Sequence, residues 1–227
     1  MKEITIKLYT FDELSDEAKK RAHNTFLSTG DYWGASGDAT ATIKKVEELF
    51  GVKLSDWEVD SYNPRYPTVT FQDSRWNDDA LYLKGNRARA YLWNNFGKVL
   101  LTGRYYSKWH GTKYAHSRLF FDRVYDGTCP LTGICFDCDA LDPMAYFCFG
   151  VEWSEELKKR VPSARDENAL RRDNATTVEG VIRDCVYSLF KAFNEDCEAS
   201  ESMDYFAELC EVNGWTFEED GTMRNAA

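Results

Sequence analysis

The sequence has no apolar run approaching the roughly 20 residues that a bilayer-spanning helix needs, so no membrane span is expected. It has no GxSxG elbow, no HExxH, no Walker A loop and no GxGxxG. Each of those patterns places a nucleophile, a zinc pair or a phosphate cradle. Without them the chain carries no signature of hydrolase, nucleotide or dinucleotide chemistry, and we expect a protein that is not an enzyme. Histidine is scarce, with three in 227 residues. A catalytic histidine needs a nucleophile and an orienting acid in reach. His110 and His116 belong to no motif that supplies both and read as ordinary surface or hairpin residues. Internal repeats and low-complexity tracts are absent, which excludes solenoids and linker arrays. The opening MKEITIKLYTFDEL alternates and carries acids early, unlike a secretory signal, and a cytoplasmic location is expected.

What is present is a large apolar and aromatic load, 43% and 15% of the residues. Disordered chains are poor in aromatics, so this is a folded chain long enough to bury a core. The seven cysteines are odd in number, and with no export signal they read as free thiols.

The charge is unevenly placed. The net charge is −10. Residues 84–123 nevertheless hold nine Lys or Arg and a single acid, Asp122, a net +8 that leaves −18 for the rest. The stretch RYYSKWHGTKYAHSRLFF at 104–121 has no acid at all, four cations and six aromatic residues.

The hydrophobic pattern supports one α+β domain over residues 1–227, with a mixed or antiparallel sheet and a long amphipathic helix towards the C-terminus. ITIKLYTF (4–11) alternates and reads as a strand. Ser15 is an N-cap candidate, with Asp16 and Glu17 in the first turn. Leu14, Ala18, Ala22 and Phe26 share the face of a helix that ends near Gly30. A second helix, Asp38 to Phe50, carries Ala39, Ile43, Val46 and Phe50 and stops at Gly51. VKLSDWEVDSY and YPTVTFQ read as strands around the turn SYNPRYP. A third helix is expected over Gly85–Phe96, with Gly97 as its stop. KVLLT and RLFFDRVY read as strands on either side of a basic, glycine-containing loop.

Thr176 and Glu179 fit a capping box. Behind it Val178, Val181, Ile182, Cys185, Val186, Leu189, Phe190, Phe193 and Cys197 repeat at helical spacing. Met203, Phe206, Ala207 and Cys210 share the face of a shorter helix stopped by Gly214. WTFEEDGTM reads as a closing hairpin turning at Asp220-Gly221. The polar stretch 160–177 is a surface loop or a weak boundary.

Three segments resemble one family. IKLYTFDELSDEAKKRA is similar to its F-x-E-L-S-x-E-A-K-x-x-A opening. FFDRVYDGTCPLTGICFDCDALDPMAYF resembles its FFDRVYDGTCP…DCDALDP block. CEVNGWTFEEDGTM is similar to its closing A-N-x-Y-x-F-x-E-D-G hairpin. The family consists of proteins carried by phages, prophages and mobile elements and labelled antitoxin of a toxin–antitoxin stability system. The resemblance implies a non-catalytic protein of the bacterial cytoplasm that binds and blocks another protein, a toxin or a host defence enzyme. It implies no catalytic residue and no cofactor.

Three constellations compete with that reading. Cys129, Cys135, Cys138 and Cys148 offer four sulfurs, but only Cys135 and Cys138 have the CxxC spacing of a zinc site, and no metal is expected. Asp126, Asp137, Asp139 and Asp142 lie in one segment and read as a solvated acidic loop. The basic belt is the remaining candidate. Its aromatics and cations are the residue types that stack on bases, pair with phosphates and carboxylates, or anchor protein interfaces. They equally suit a solvated face covering a sheet. The expected partner-contact residues are Arg104, Tyr105, Tyr106, Lys108, Trp109, Lys113, Tyr114 and Arg118. The partner is a protein, with nucleic acid as the alternative through the same belt. An acidic mimic of DNA, built on the −18 outside the belt, is a further alternative.

Overall fold

A computed structural model describes residues 7–30, 32–110, 113–122, 129–134, 136–149 and 176–224; of Asp78, 101–110, 113–122 and Phe149 it describes the backbone only. The fold is α+β. Among the described residues, seven α-helices accompany three separate two-stranded sheets, each antiparallel. Contacts divide the chain into two units. One comprises Met1–Gly37, Asp60–Asn63 and Asn194–Ala227; the other comprises Asp38–Val59 and Pro64–Phe193.

The first unit opens on a 3-10 turn, Phe11–Glu13, and helix α1, Asp16–Ser28. The Ser15 hydroxyl accepts from the Ala18 N–H at 3.3 Å, which caps α1 as its sequence implies. Leu14, Ala18 and Ala22 are buried on the expected face, with Phe26 half-buried beside them. The expected strand over 4–11 is shorter than its alternation suggests. Residues 4–6 lie outside the described residues, Tyr9 makes an isolated antiparallel bridge to Phe217, and Phe11 already belongs to the 3-10 turn. There the Glu13 carboxylate turns back to accept from the Thr10 N–H at 2.9 Å, and this local bond competes with extension.

The C-terminal segments complete this unit with helix α7, Met203–Asn213, and the hairpin of β5, Thr216–Phe217, and β6, Met223–Arg224. Gly214 ends α7 in the left-handed region at φ 62°, as expected. Phe206 is the hub of the core, 5.1 Å from Phe11 edge-on and 4.8 Å from Phe26. Gly221 turns the hairpin at φ 89°, and a Cβ there would run into the backbone carbonyl of Ala18. Position 221 therefore demands glycine twice, for its φ and for its closeness to α1.

The second unit holds α2 from Asp38 onward (Ser36–Phe50 in full), the hairpin of β1, Val52–Ser55, and β2, Thr68–Phe71, then α3, Asp78–Leu81, and α4, Gly85–Leu100. It continues through β3, Leu101–His110, β4, Lys113–Asp122, and α5, Phe136–Phe149, into helix α6, Val178–Ser200. The last turns of α6 belong to the first unit. The expected stripe is buried along the whole helix, from Val178 to Cys197. Burial of a Leu or Phe side chain contributes about 1.5–3 kcal/mol each, which explains why so regular a stripe dominates the local structure. Phe193 meets Phe136 of α5 edge-on at 4.8 Å, and Phe50 meets Phe96 at 5.5 Å.

Several expectations are corrected. Gly97 does not stop α4; the helix runs on to Leu100, so Lys98–Leu100 are helical and the strand begins at Leu101. A Cβ at Gly97 would stand 2.8 Å from the Trp93 ring, so this glycine makes room for an indole. Glycine costs a helix about 1 kcal/mol, and burial of Phe96 and Leu100 on either side outweighs it. The cap bond of α6 comes from Thr177, whose hydroxyl accepts from the Gly180 N–H at 3.0 Å, while Glu179 pairs with Arg183 one turn on. The capping box expected from Thr176 and Glu179 is displaced accordingly. The basic segment expected to be a loop is strand for most of its length. Of the polar stretch 160–177, residues 160–175 lie outside the described residues.

Candidate contact surface

The ribbon β3–β4 pairs ten residues with ten, from Leu101↔Asp122 at its base to His110↔Lys113 beside the turn. At about 3.4 Å per residue each strand spans roughly 34 Å. Neither strand pairs with any other among the described residues.

This register decides which expected contact residues share a face, because alternate strand positions lie on opposite sides. Arg104, Tyr106 and Lys108 of β3 fall on the same face as Lys113 of β4. Tyr105 and Trp109 fall on the other, with Tyr114 and Arg118; Trp109 is directly opposite Tyr114, and Tyr105 opposite Arg118. All eight positions therefore lie on one element, with three of the four cations on one face and three of the four aromatics on the other. Sequence alternation alone leaves this unsettled, since the sorting depends on which residues pair. The two histidines are sorted as well: His110 falls on the cationic face and His116 on the aromatic one.

The cysteine and aspartate constellations are rearranged. Cys129 and Cys138 approach within hydrogen-bonding reach, and burial, then Cys129, pushes the Cys138 thiol up to about 12. Cys148 is buried elsewhere, beside Cys185. Cys135 and Asp126 lie outside the described residues. Among the described residues no three His, Cys, Asp or Glu side chains gather as metal ligands.

Asp137 is not part of a solvated loop, and the expectation for it is corrected. It is fully buried at the start of α5. Its Oδ2 accepts from the N–H groups of Leu131 and Thr132 at 2.7 Å and Gly133 at 3.3 Å, and its Oδ1 from the Thr132 hydroxyl at 2.8 Å. A buried carboxylate persists only when its lone pairs are filled in this way. Asp139 and Asp142 lie half-buried on α5 itself.

Two features of the first unit escape sequence reasoning. Tyr32 donates to Glu201 Oε1 at 2.8 Å, Ser61 donates to Glu201 Oε2 at 2.7 Å, and Trp33 donates to Asp196 at 2.7 Å. The bond to Glu201, then burial, holds the Tyr32 hydroxyl well above its ordinary range. These bonds fasten two loops to the end of α6. The second feature is a groove of about 360 Å3. Phe11 and Cys210 are its buried members, Trp215 is half-buried in its wall, and Asp12, Glu208 and Glu211 are exposed along it. It assembles from segments some 190 residues apart, which no local pattern announces.

The second unit also carries a stacked aromatic pair, half-buried on one side and exposed on the other. Tyr66 stacks on Tyr187 of α6 at 4.5 Å, with Tyr187 53% exposed. No helix among the described residues is long and apolar enough to cross a membrane. Neither a family model, nor a curated protein, nor a solved structure matches the chain.

Proposed function

We propose that this chain is a partner-binding protein that acts without chemistry of its own, by occupying another protein in the manner of an antitoxin or an inhibitor of host defence. The observation that supports it is the sorting of the basic belt on β3–β4. A ribbon that joins no further strand among the described residues, with a cationic face and a Tyr/Trp/Arg face, has the composition of an interface centre and the charge to steer association. The resemblance of 6–22, 120–147 and 210–223 to the antitoxin-labelled family supports the same class. A location in the cytoplasm of a bacterial host belongs to this reading.

The test is the combined change Arg104→Glu, Lys108→Glu and Lys113→Glu, set against reversals at the exposed Lys20, Lys44 and Lys191. Both proteins are expected to melt normally. Only the first is expected to lose activity, measured as rescue of bacterial growth from a co-expressed toxin or from nuclease-based defence. Full rescue by the ribbon variant overturns the proposal. A second reading is favoured by the row of cations, since a two-stranded ribbon fits the major groove of DNA. A mobility shift of duplex DNA that weakens steeply with salt would select it.

A further inference from the structure

We propose that the groove of the first unit is a docking site for a basic segment, and that its occupant is the β3–β4 ribbon of a second copy of this chain. The proposal rests on the reading of the ribbon as the contact element, and it adds a regulation of that element.

The chemistry of the groove selects a cation. Three carboxylates, Asp12, Glu208 and Glu211, line it together with the Trp215 indole, and among the described residues no lysine, arginine or histidine does. None of the three forms an ion pair among the described residues. The nearby Lys19 ammonium lies 5.6 Å from the Phe11 ring centroid and is not a lining group. The negative field reaches the floor, because Asp12 adds to the burial that holds the Cys210 thiol up at about 11. An aromatic face within about 6 Å of an ammonium or guanidinium adds attraction of the same sign. A volume of about 360 Å3 lies in the range of sites that enclose a ligand group, about 300–1,000 Å3.

The occupant follows from the chain's own charge. The ribbon, residues 101–122, holds four cations and one acid in a chain whose net charge is −10. Arg104, Lys108 and Lys113 fall on one face of a ribbon whose edges are unpaired among the described residues. Two surfaces of opposite sign on one chain steer copies together. The contact is heterologous, groove to ribbon, so each copy offers one of each. A ribbon seated in a neighbour's groove is withheld from its partner until that partner competes for it.

Sedimentation velocity on the full chain tests this. The expected result is a concentration-dependent species heavier than the 26.2 kDa chain at low salt, dissociating at high salt. A groove variant, Glu208→Lys with Glu211→Lys, and the ribbon variant, Arg104→Glu with Lys108→Glu and Lys113→Glu, are each expected to be monomeric alone. Mixed in equal amounts they are expected to form two-chain complexes, because each keeps the half the other has lost. Lysines near the C-terminal end of α7 suit the helix dipole, and melting curves check both folds. If the reversal unfolds the chain, Glu208→Gln with Glu211→Gln replaces it. A wild-type monomer at every concentration and salt overturns the proposal. So does self-association that survives both variants, a mixture that stays monomeric, or a groove that binds a foreign arginine-rich peptide while copies never associate. A ribbon variant that loses rescue in a protein that never self-associates sinks this inference and leaves the proposed function standing. Lost self-association with full rescue does the reverse.

Discussion

The closing hairpin, β5–β6, and the ribbon, β3–β4, are both two-stranded and antiparallel, but their sequences answer to different forces. The closing hairpin pairs only two residues with two. Phe217 is fully buried, its backbone exchanges two 2.9 Å bonds with Tyr9, and Gly221 presses on α1. The ribbon pairs ten with ten and joins no further strand among the described residues. A two-stranded hairpin is marginal unless something packs on it. The short one is held by the core around Phe206. The long one carries four cations against one acid, in an acidic chain, and the residue types of an interface. Residues selected by packing are therefore expected to move stability, and residues selected by charge to move association.

Substitutions break or sharpen that contrast. The largest stability effect is expected where packing alone is at stake: Leu189→Ala, in the buried stripe of α6, costs about 2–5 kcal/mol by denaturant unfolding. An unchanged midpoint would remove the helix from the core. Asp137→Ala, which strips the acceptor from four donors, costs on the order of 3 kcal/mol in the same measurement. Gly221→Ala costs about 1–3 kcal/mol, since it combines a left-handed φ with a backbone collision. The reversals on the ribbon are expected to cost less than about 0.5 kcal/mol at each site. A ribbon variant as unstable as Gly221→Ala would erase the contrast.

The smallest expected effect is on pH dependence. Burial, then Asp12, pushes the Cys210 thiol up to about 11, whereas an unfolded thiol ionises near about 8.5. The folded state keeps the proton longer, so this stabilisation is complete below the unfolded value and fades as pH rises towards 11. The gap in midpoint between the parent and Cys210→Ala is therefore expected to narrow over that window. A constant gap would show that the folded state does not hold the proton.

Legibility in the sequence follows the same division. The stripe from Val178 to Cys197 and the cap at Ser15 are local patterns backed by burial, and both form as the sequence implies. Gly97 misleads because glycine is both a helix stop and a space for a neighbour, and only the position of Trp93 decides between them. Asp137 misleads because acids in a polar run usually face water; its donors come from the adjacent loop, and burial is not visible in the spacing. The ribbon was legible as charge throughout, but as strand only at its base, in 101–102 and 118–122. Its positive, polar run lacks the apolar alternation that marks a strand, and the sorting of Arg104 from Tyr105 depends on a partner strand. The groove was illegible for a plainer reason, since Asp12 and Glu208 are neighbours only after folding.

The core around Phe206 has a consequence for synthesis. Phe11, Leu14, Ala18 and Ala22 leave the ribosome well before the residues that cover them, Phe206, Cys210 and Phe217, are made. Helix α1 must therefore wait, apolar face exposed, while the intervening segments emerge and fold. Closing so long a loop slows the final step. Nascent chains arrested before residue 200 are expected to show α1 open to protease, and emergence of the segment through Phe217 is expected to protect it.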